Sequence, residues 1–159
     1  MLTLTLQDVL CHASVGGVTP GLAIDDVANR LGVGERLAPR AVTYGSILMA
    51  YTGHHRLSSI TLYFQGRRLS EFVVPLPLHI AGWWPDRTTT VARFEERVSA
   101  LGVTFEPDPL FQSLGQTVLR THSFVRVYFD AGLLYSIICH DPAVQREYAD
   151  LRKRPRRAR

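Results

Sequence analysis

The sequence predicts an α+β protein in which two tandem units, each a helix followed by a three-stranded antiparallel meander, form one sheet with the helices on one face. The first observation is a short repeat: residues 60–64, Ile-Thr-Leu-Tyr-Phe, recur at 125–129 as Val-Arg-Val-Tyr-Phe. The second is that both copies alternate apolar with polar or amphipathic residues, as half-buried strands do. The third is that a glycine-containing turn, at 65–66 and at 130–132, leads each copy into another apolar stretch.

Composition fits a globular chain with one core. The 159 residues suffice to bury such a core, and 46% apolar with 20% charged residues is typical of folded proteins. We expect a single domain over residues 1–150, with repeats at about 19–74 and 88–140. A Pro- and Trp-containing linker at 75–87 joins them, and a basic disordered tail occupies 151–159.

The first unit is preceded by a short helix expected at 4–13 and a Gly- and Pro-rich connection at 14–21. Residues 23–31 have apolar side chains at helical spacing and two aspartates in the first turn, where the helix dipole favours anions. Gly32 marks the end of this helix. The strands of the meander are then expected at 42–51, around 60–64 and at 69–74.

The second unit repeats this order. A helix at 90–101 presents Val91, Phe94, Val98 and Leu101 on one face. Strands follow near 116–120, at 124–129 and at 133–139, and a last helix at 142–151 has Val144, Tyr148 and Leu151 facing inward.

Strand alternation divides the central strands into two faces. The side chains expected to face the helices are Ile60, Leu62, Phe64, Val125, Val127 and Phe129. The opposite face is expected to be open to solvent, and tyrosine and arginine there are typical anchors of protein interfaces. With the linker tryptophans, the predicted partner-binding residues are Thr61, Tyr63, Trp83, Trp84, Arg126 and Tyr128. Cross-strand pairing, and packing of both tryptophans between the units, are the alternative roles.

Catalytic and metal-binding motifs give little support for an enzyme. Cys139 and His140 are adjacent on a predicted strand, so they face opposite sides and cannot act as a pair. Together with Cys11 and His12 they would complete a Cys₂His₂ metal site only if the first helix packed beside the last strand, and no CxxC-type spacing is present. We therefore predict no catalytic residue, no metal site and no cofactor.

The net charge of +4 is concentrated at one end of the chain. Six of the 18 basic residues lie in the last eight positions, which leaves 12 basic against 14 acidic residues in the rest. Nucleic-acid binding is thus expected only through the tail, if at all. The apolar stretch 72–84 is broken by prolines, and no signal-peptide pattern is present, so we expect a cytoplasmic protein without a membrane partner.

A helix ending in Leu31-Gly32, followed by Tyr44-Gly45-Ser46 and the Ile-x-Leu-Tyr-Phe strand, resembles small actinobacterial immunity proteins of polymorphic toxin systems. The doubled helix-plus-meander pattern is similar to the tandem-repeat scaffold of the β-lactamase inhibitor protein. This resemblance implies a non-enzymatic protein that covers the site of a toxin or enzyme with its open sheet face. Two alternatives remain: a small-ligand-binding protein or enzyme that uses the curved sheet as a pocket, and a nucleic-acid accessory protein that acts through the basic tail.

Overall fold

The computed structural model describes residues 3–32, 34–38, 40–51, 54–74, 76, 85–143, 146–147 and 150, with the backbone alone at 35–38, 43–51 and 54–59. Trp83, Trp84 and the tail at 151–159 lie outside the described residues, as do Val144 and Tyr148 of the predicted last helix.

An α+β fold is confirmed. In the described part of the chain, three α-helices and one 3₁₀ helix accompany a sheet of nine strands. The elements are β1 (Thr3–Thr5), α1 (Leu6–His12), α2 (Ile24–Leu31), β2 (Glu35–Ala38), β3 (Ala41–Tyr51), β4 (His54–Gln65), β5 (Arg68–Val74), α3 (Val91–Ser99), β6 (Phe105–Pro107), the 3₁₀ helix η1 (Pro109–Phe111), β7 (Gln116–Thr121), β8 (Val125–Asp130) and β9 (Leu133–His140). None of the helices in these ranges has the length and apolar composition that a membrane crossing requires.

The strand order is β1-β3-β4-β5-β9-β8-β7-β6, with β2 also paired to β3. Every pair is antiparallel except β1 with β3. The meander β3–β5 follows α2 and the meander β7–β9 follows α3, and the two meet where Phe72 lies opposite Cys139. Their chain order is the predicted one, whereas the tandem repeat as such stays a prediction.

The start of the chain differs from the expected helix at 4–13. Residues Thr3–Thr5 instead form strand β1 beside β3, and the helix begins only at Leu6. The reason is local: the Oγ1 of Thr5 accepts a hydrogen bond from the backbone N–H of Asp8 at 2.9 Å and donates one to its carboxylate at 2.6 Å. This reciprocal capping fixes the helix start at the end of the alternating Leu-Thr segment.

The core lies between the helices and one face of the sheet. Phe94 of α3 is fully buried, with its ring edge-on to Phe105 at 5.6 Å and to Phe129 at 5.7 Å between ring centroids. All six strand residues predicted to face the helices are buried in the same cluster: Ile60, Leu62, Phe64, Val125, Val127 and Phe129. The period-two alternation therefore assigned the inner face of β4 and β8 correctly.

A turn held by Asp86 precedes α3. Its Oδ1 accepts hydrogen bonds from the backbone N–H of Thr88 at 2.8 Å and from the Thr88 hydroxyl at 2.7 Å. Burial alone would raise the pKa of Asp86, but the hydrogen bonds from Thr88 and Thr89 and the charge of Arg93 outweigh it, so the pKa is lowered. The ionised carboxylate is thus the form that stabilises the turn.

Replacing Asp86 by alanine should lower the free energy of unfolding by about 1 kcal/mol at neutral pH, since the turn loses its acceptor. Because the folded-state pKa is lowered, this contribution is present above the ordinary Asp value of about 3.9 and is lost as the pH falls through the folded-state pKa. Urea unfolding of wild type and variant at pH 7 and pH 2.5 measures the difference. The matched control Asp86→Asn keeps a neutral acceptor, so its stability should not depend on the titration of this group. A loss from Asp86→Ala that is equal at both pH values would contradict the assignment.

Candidate functional site

The face of the sheet opposite the helices carries the side chains predicted to bind a partner. Thr61 and Tyr128 are half-buried, and Tyr63 is 37% exposed. Arg126 lies on this outer face, opposite Ile138 of β9 and Arg120 of β7, but only 2% of it is exposed. The expectation that Arg126 is open to solvent is therefore wrong.

The cover over Arg126 comes from the chain itself. The edge strand β6 pairs with β7, and the backbone N–H of Asp108 then bonds to the carbonyl of Val118 at 2.8 Å. This bond places Asp108 and the following helix η1 against the outer face of β7 and β8. As a result, Val118, which faces the same side as Arg126, is also fully buried.

The guanidinium of Arg126 is held from two sides. Its Nε donates to Oδ2 of Asp108 at 2.8 Å, and these side chains are only 3% and 6% exposed. Its central carbon lies 3.7 Å from the centroid of the Phe111 ring, a close cation–π contact. The Nη1 nitrogen of the same guanidinium is buried and has no hydrogen-bond partner among the described residues. Arg126 is therefore fixed in place with a donor left unused.

A cavity of about 350 Å³ opens beside this guanidinium. Its wall combines three arginines, one carboxylate and four apolar side chains: Arg120, Arg126, Arg146, Asp108, Leu110, Phe111, Phe124 and Pro142. Three positive charges against one negative charge make the cavity attractive to an anion. Among these lining residues the only group able to act as a base is Asp108, which Arg126 already binds, so the arrangement suits binding rather than catalysis.

Arg120 and Phe124 form the second arginine–phenylalanine pair of the cavity. The Arg120 guanidinium is bound to Glu106 of β6, with its Nε 3.1 Å from Oε1, and its central carbon lies 5.5 Å from the Phe124 ring centroid. Phe124 closes the turn between β7 and β8, where its N–H bonds to the carbonyl of Thr121 at 3.0 Å. Its φ of 61° is the left-handed conformation that glycine or asparagine usually adopts at this position of a three-residue hairpin loop.

No protein-family model matches the chain. Comparison with characterised proteins and with solved structures also gives no significant match. The resemblance to immunity proteins thus stays a prediction, and function has to be inferred from the geometry of the site.

The cysteine–histidine pair of β9 is separated as the alternation predicts. Cys139 points into the apolar core, where burial raises the pKa of its thiol well above the ordinary value. His140 lies opposite Glu71 of β5, with its Nδ1 3.1 Å from a carboxylate oxygen of that residue. Within the described ranges, no group of three or more His, Cys, Asp or Glu side chains is arranged to hold a metal ion.

A second cavity, of about 400 Å³, shares no lining residue with the first. Five of its six lining residues have polar or charged side chains, of mixed charge: Gln65, Arg68, Ser70, Asp141, Ala143 and Glu147. None of these residues has a buried polar atom without a partner. This cavity therefore gives no indication of a missing ligand, in contrast to the one beside Arg126.

Sequence reasoning found one residue of the Arg126 cavity and missed the others. Asp108 and Phe111 lie between the predicted helix at 90–101 and the predicted strand near 116–120, and their contact with β8 depends on tertiary packing that no local pattern encodes. The alternation pattern also predicted Phe124 as the first residue of the strand at 124–129, whereas the structure places it in the turn before β8.

Proposed function

We propose that this is a non-enzymatic binding protein that takes a small organic anion into the cavity beside Arg126. Two observations carry the proposal: Arg126 lines a positively charged cavity, and its Nη1 is a buried cationic donor without an acceptor among the described residues. Of the alternatives raised by the sequence, binding of a small ligand is the one this geometry supports best.

The energetics of a buried donor favour an anionic ligand. A polar group that is buried without a partner costs about 1–3 kcal/mol, and more when it is charged. An oxygen of a bound carboxylate or phosphate would remove this cost through a charge-assisted hydrogen bond. Since Asp108 and Phe111 already hold the guanidinium, little conformational entropy is lost when the ligand binds.

Calorimetric titration with acetate, benzoate and inorganic phosphate tests the proposal. We expect at least one of these anions to bind. Replacing Arg126 by glutamine should weaken binding by about 10–100-fold, the loss of one charge-assisted hydrogen bond. Replacing the exposed Arg146 by glutamine should weaken binding by up to about fivefold, as loss of an exposed charge does.

A matched control separates the cavity from general electrostatics. Arg97 is exposed on α3, away from the cavity lining, so Arg97→Gln makes the same change in net charge without touching the site. Its anion affinity should equal that of wild type. If Arg126→Gln does not fold, the comparison of Arg146→Gln with Arg97→Gln decides the question. Unchanged binding by a folded Arg126→Gln variant, or no binding of any of the three anions, would contradict the proposal. If Arg126→Gln does not fold, equal affinities in the other two variants would contradict it.

The inhibitor hypothesis is less well supported by this geometry than the small-ligand hypothesis. Segment Asp108–Phe111 covers part of the outer face of the sheet that was expected to meet a toxin or enzyme, and it buries Arg126. Occlusion of a partner therefore depends on the outer face of β4, where Tyr63 is 37% exposed, and stays a prediction. The nucleic-acid hypothesis depends on the tail at 151–159, outside the described residues.

A further inference from the structure

The two arginine–phenylalanine pairs of the cavity indicate what kind of anion it takes. We infer that the ligand is an aromatic monocarboxylate, a flat ring or fused pair of rings bearing one carboxylate, and that Phe124 selects for the ring. The inference rests on the proposed function, because it names the ligand class of the same cavity.

The charged groups around the cavity suit a ligand with one negative charge better than a ligand with two. Arg120 and Arg126 each have a carboxylate already bound, Glu106 and Asp108 respectively. With Arg146 as the third cation, these five groups sum to one positive charge. A phosphate monoester, which is close to a dianion at neutral pH, would bring a second negative charge near the buried Asp108. A carboxylate fills the open position on Nη1 without this repulsion.

The remaining wall suits a flat apolar body. Leu110, Phe111, Phe124 and Pro142 supply apolar surface, and a guanidinium lies over each of the two rings. At about 350 Å³ the cavity is near the lower limit for organic ligands, and it has room for one or two rings. Aromatic rings stack on phenylalanine faces and edges with a gain beyond simple burial.

Phe124 combines a strained backbone with a ring that contacts Arg120 at the cavity wall. A left-handed φ of 61° costs free energy for any residue with a Cβ atom, and glycine would adopt it without strain. The residue is also 41% exposed and lies outside the core cluster. Strain of this kind is found at ligand clamps, where the side chain is needed in one place.

The chain provides a matched control for this residue. Ala131, in the turn between β8 and β9, is also a non-glycine residue with a left-handed φ, of 48°, and is exposed. It does not line the cavity. Phe124→Gly and Ala131→Gly therefore relieve the same backbone strain in successive hairpins, but only the first removes a wall of the proposed site.

Calorimetric titration with 2-naphthoate, benzoate, acetate and phenyl phosphate, on wild type and both glycine variants, tests the inference. We expect 2-naphthoate to bind wild type at least about tenfold more tightly than acetate, and benzoate to bind more tightly than phenyl phosphate. Phe124→Gly should reduce 2-naphthoate affinity about tenfold and acetate affinity by less than about twofold, because acetate has no ring to stack. Its melting temperature should stay within about 5 °C of wild type, and Ala131→Gly should bind every probe as wild type does.

Failure of the ligand-class inference and failure of the proposed anion-binding function give different results. If acetate binds as tightly as 2-naphthoate, if phenyl phosphate exceeds benzoate, or if Phe124→Gly loses no preference for the ring, the aromatic monocarboxylate assignment is overturned while an Arg126-dependent anion site stands. If neither Arg126→Gln nor Arg146→Gln weakens binding of any probe, both are wrong.

Discussion

Replacing Asp108 by alanine should lower the free energy of unfolding by about 3–5 kcal/mol, because it leaves the charge of Arg126 buried without its partner. Both side chains are almost fully removed from solvent, at 3% and 6% exposure, and the bond between them is 2.8 Å long. Equilibrium urea unfolding of the two proteins at neutral pH measures the difference. The slope of the unfolding transition with urea concentration should stay the same, because unfolding exposes the same surface area in both proteins.

A second ion pair of the same length provides the control. Asp25 and Arg67 also approach to 2.8 Å, but their side chains are 76% and 74% exposed. Asp25→Ala should therefore cost less than about 1 kcal/mol. The double variant Asp108→Leu with Arg126→Met, which removes both charges and keeps apolar volume, should recover most of the stability lost in Asp108→Ala. Equal losses for Asp108→Ala and Asp25→Ala would contradict the burial of Arg126.

Replacing Phe94 by alanine should cost about 3–5 kcal/mol of unfolding free energy, the range for removal of a fully buried aromatic side chain. Phe94 has no exposed surface, and its edge-on contacts with Phe105 and Phe129 join α3 to β6 and β8. Loss of the ring therefore leaves a cavity between three elements and removes two aromatic contacts at once.

Thermal and urea unfolding both report this loss. The control is Leu114→Ala, at a fully exposed position in the loop before β7, where the change should stay within about 0.5 kcal/mol. A loss below about 1 kcal/mol at Phe94 would mean that α3 does not pack on the sheet as described.

Local pattern was enough to predict most of what lies on the helix side of the sheet. The helical spacing around Val27 and Phe94 located α2 and α3 to within three residues at each end. Alternation assigned the inner face of β4 and β8 because one face of each strand is buried by the helices, which makes the pattern strict. The strands β1, β2 and β6 were missed, because each is only three or four residues long and is fixed by pairing with a longer strand.

The outer face could not be predicted in the same way. The alternation pattern predicts that Arg126 points away from the helices, and the structure shows this orientation. No local pattern predicts which residues cover it. The cover comes from Asp108, 18 residues earlier in the chain, and its position depends on the pairing of β6 with β7. A proline-rich segment such as 107–109 predicts a loop without indicating where that loop packs.

A crystal structure of the protein with 2-naphthoate bound would decide whether the buried donor of Arg126 is a ligand group. The proposed function predicts the carboxylate in the cavity with one oxygen within about 2.7–3.2 Å of Nη1. A structure in which Nη1 bonds to an ordered water or to a protein carbonyl, with the anion elsewhere on the surface, would contradict it.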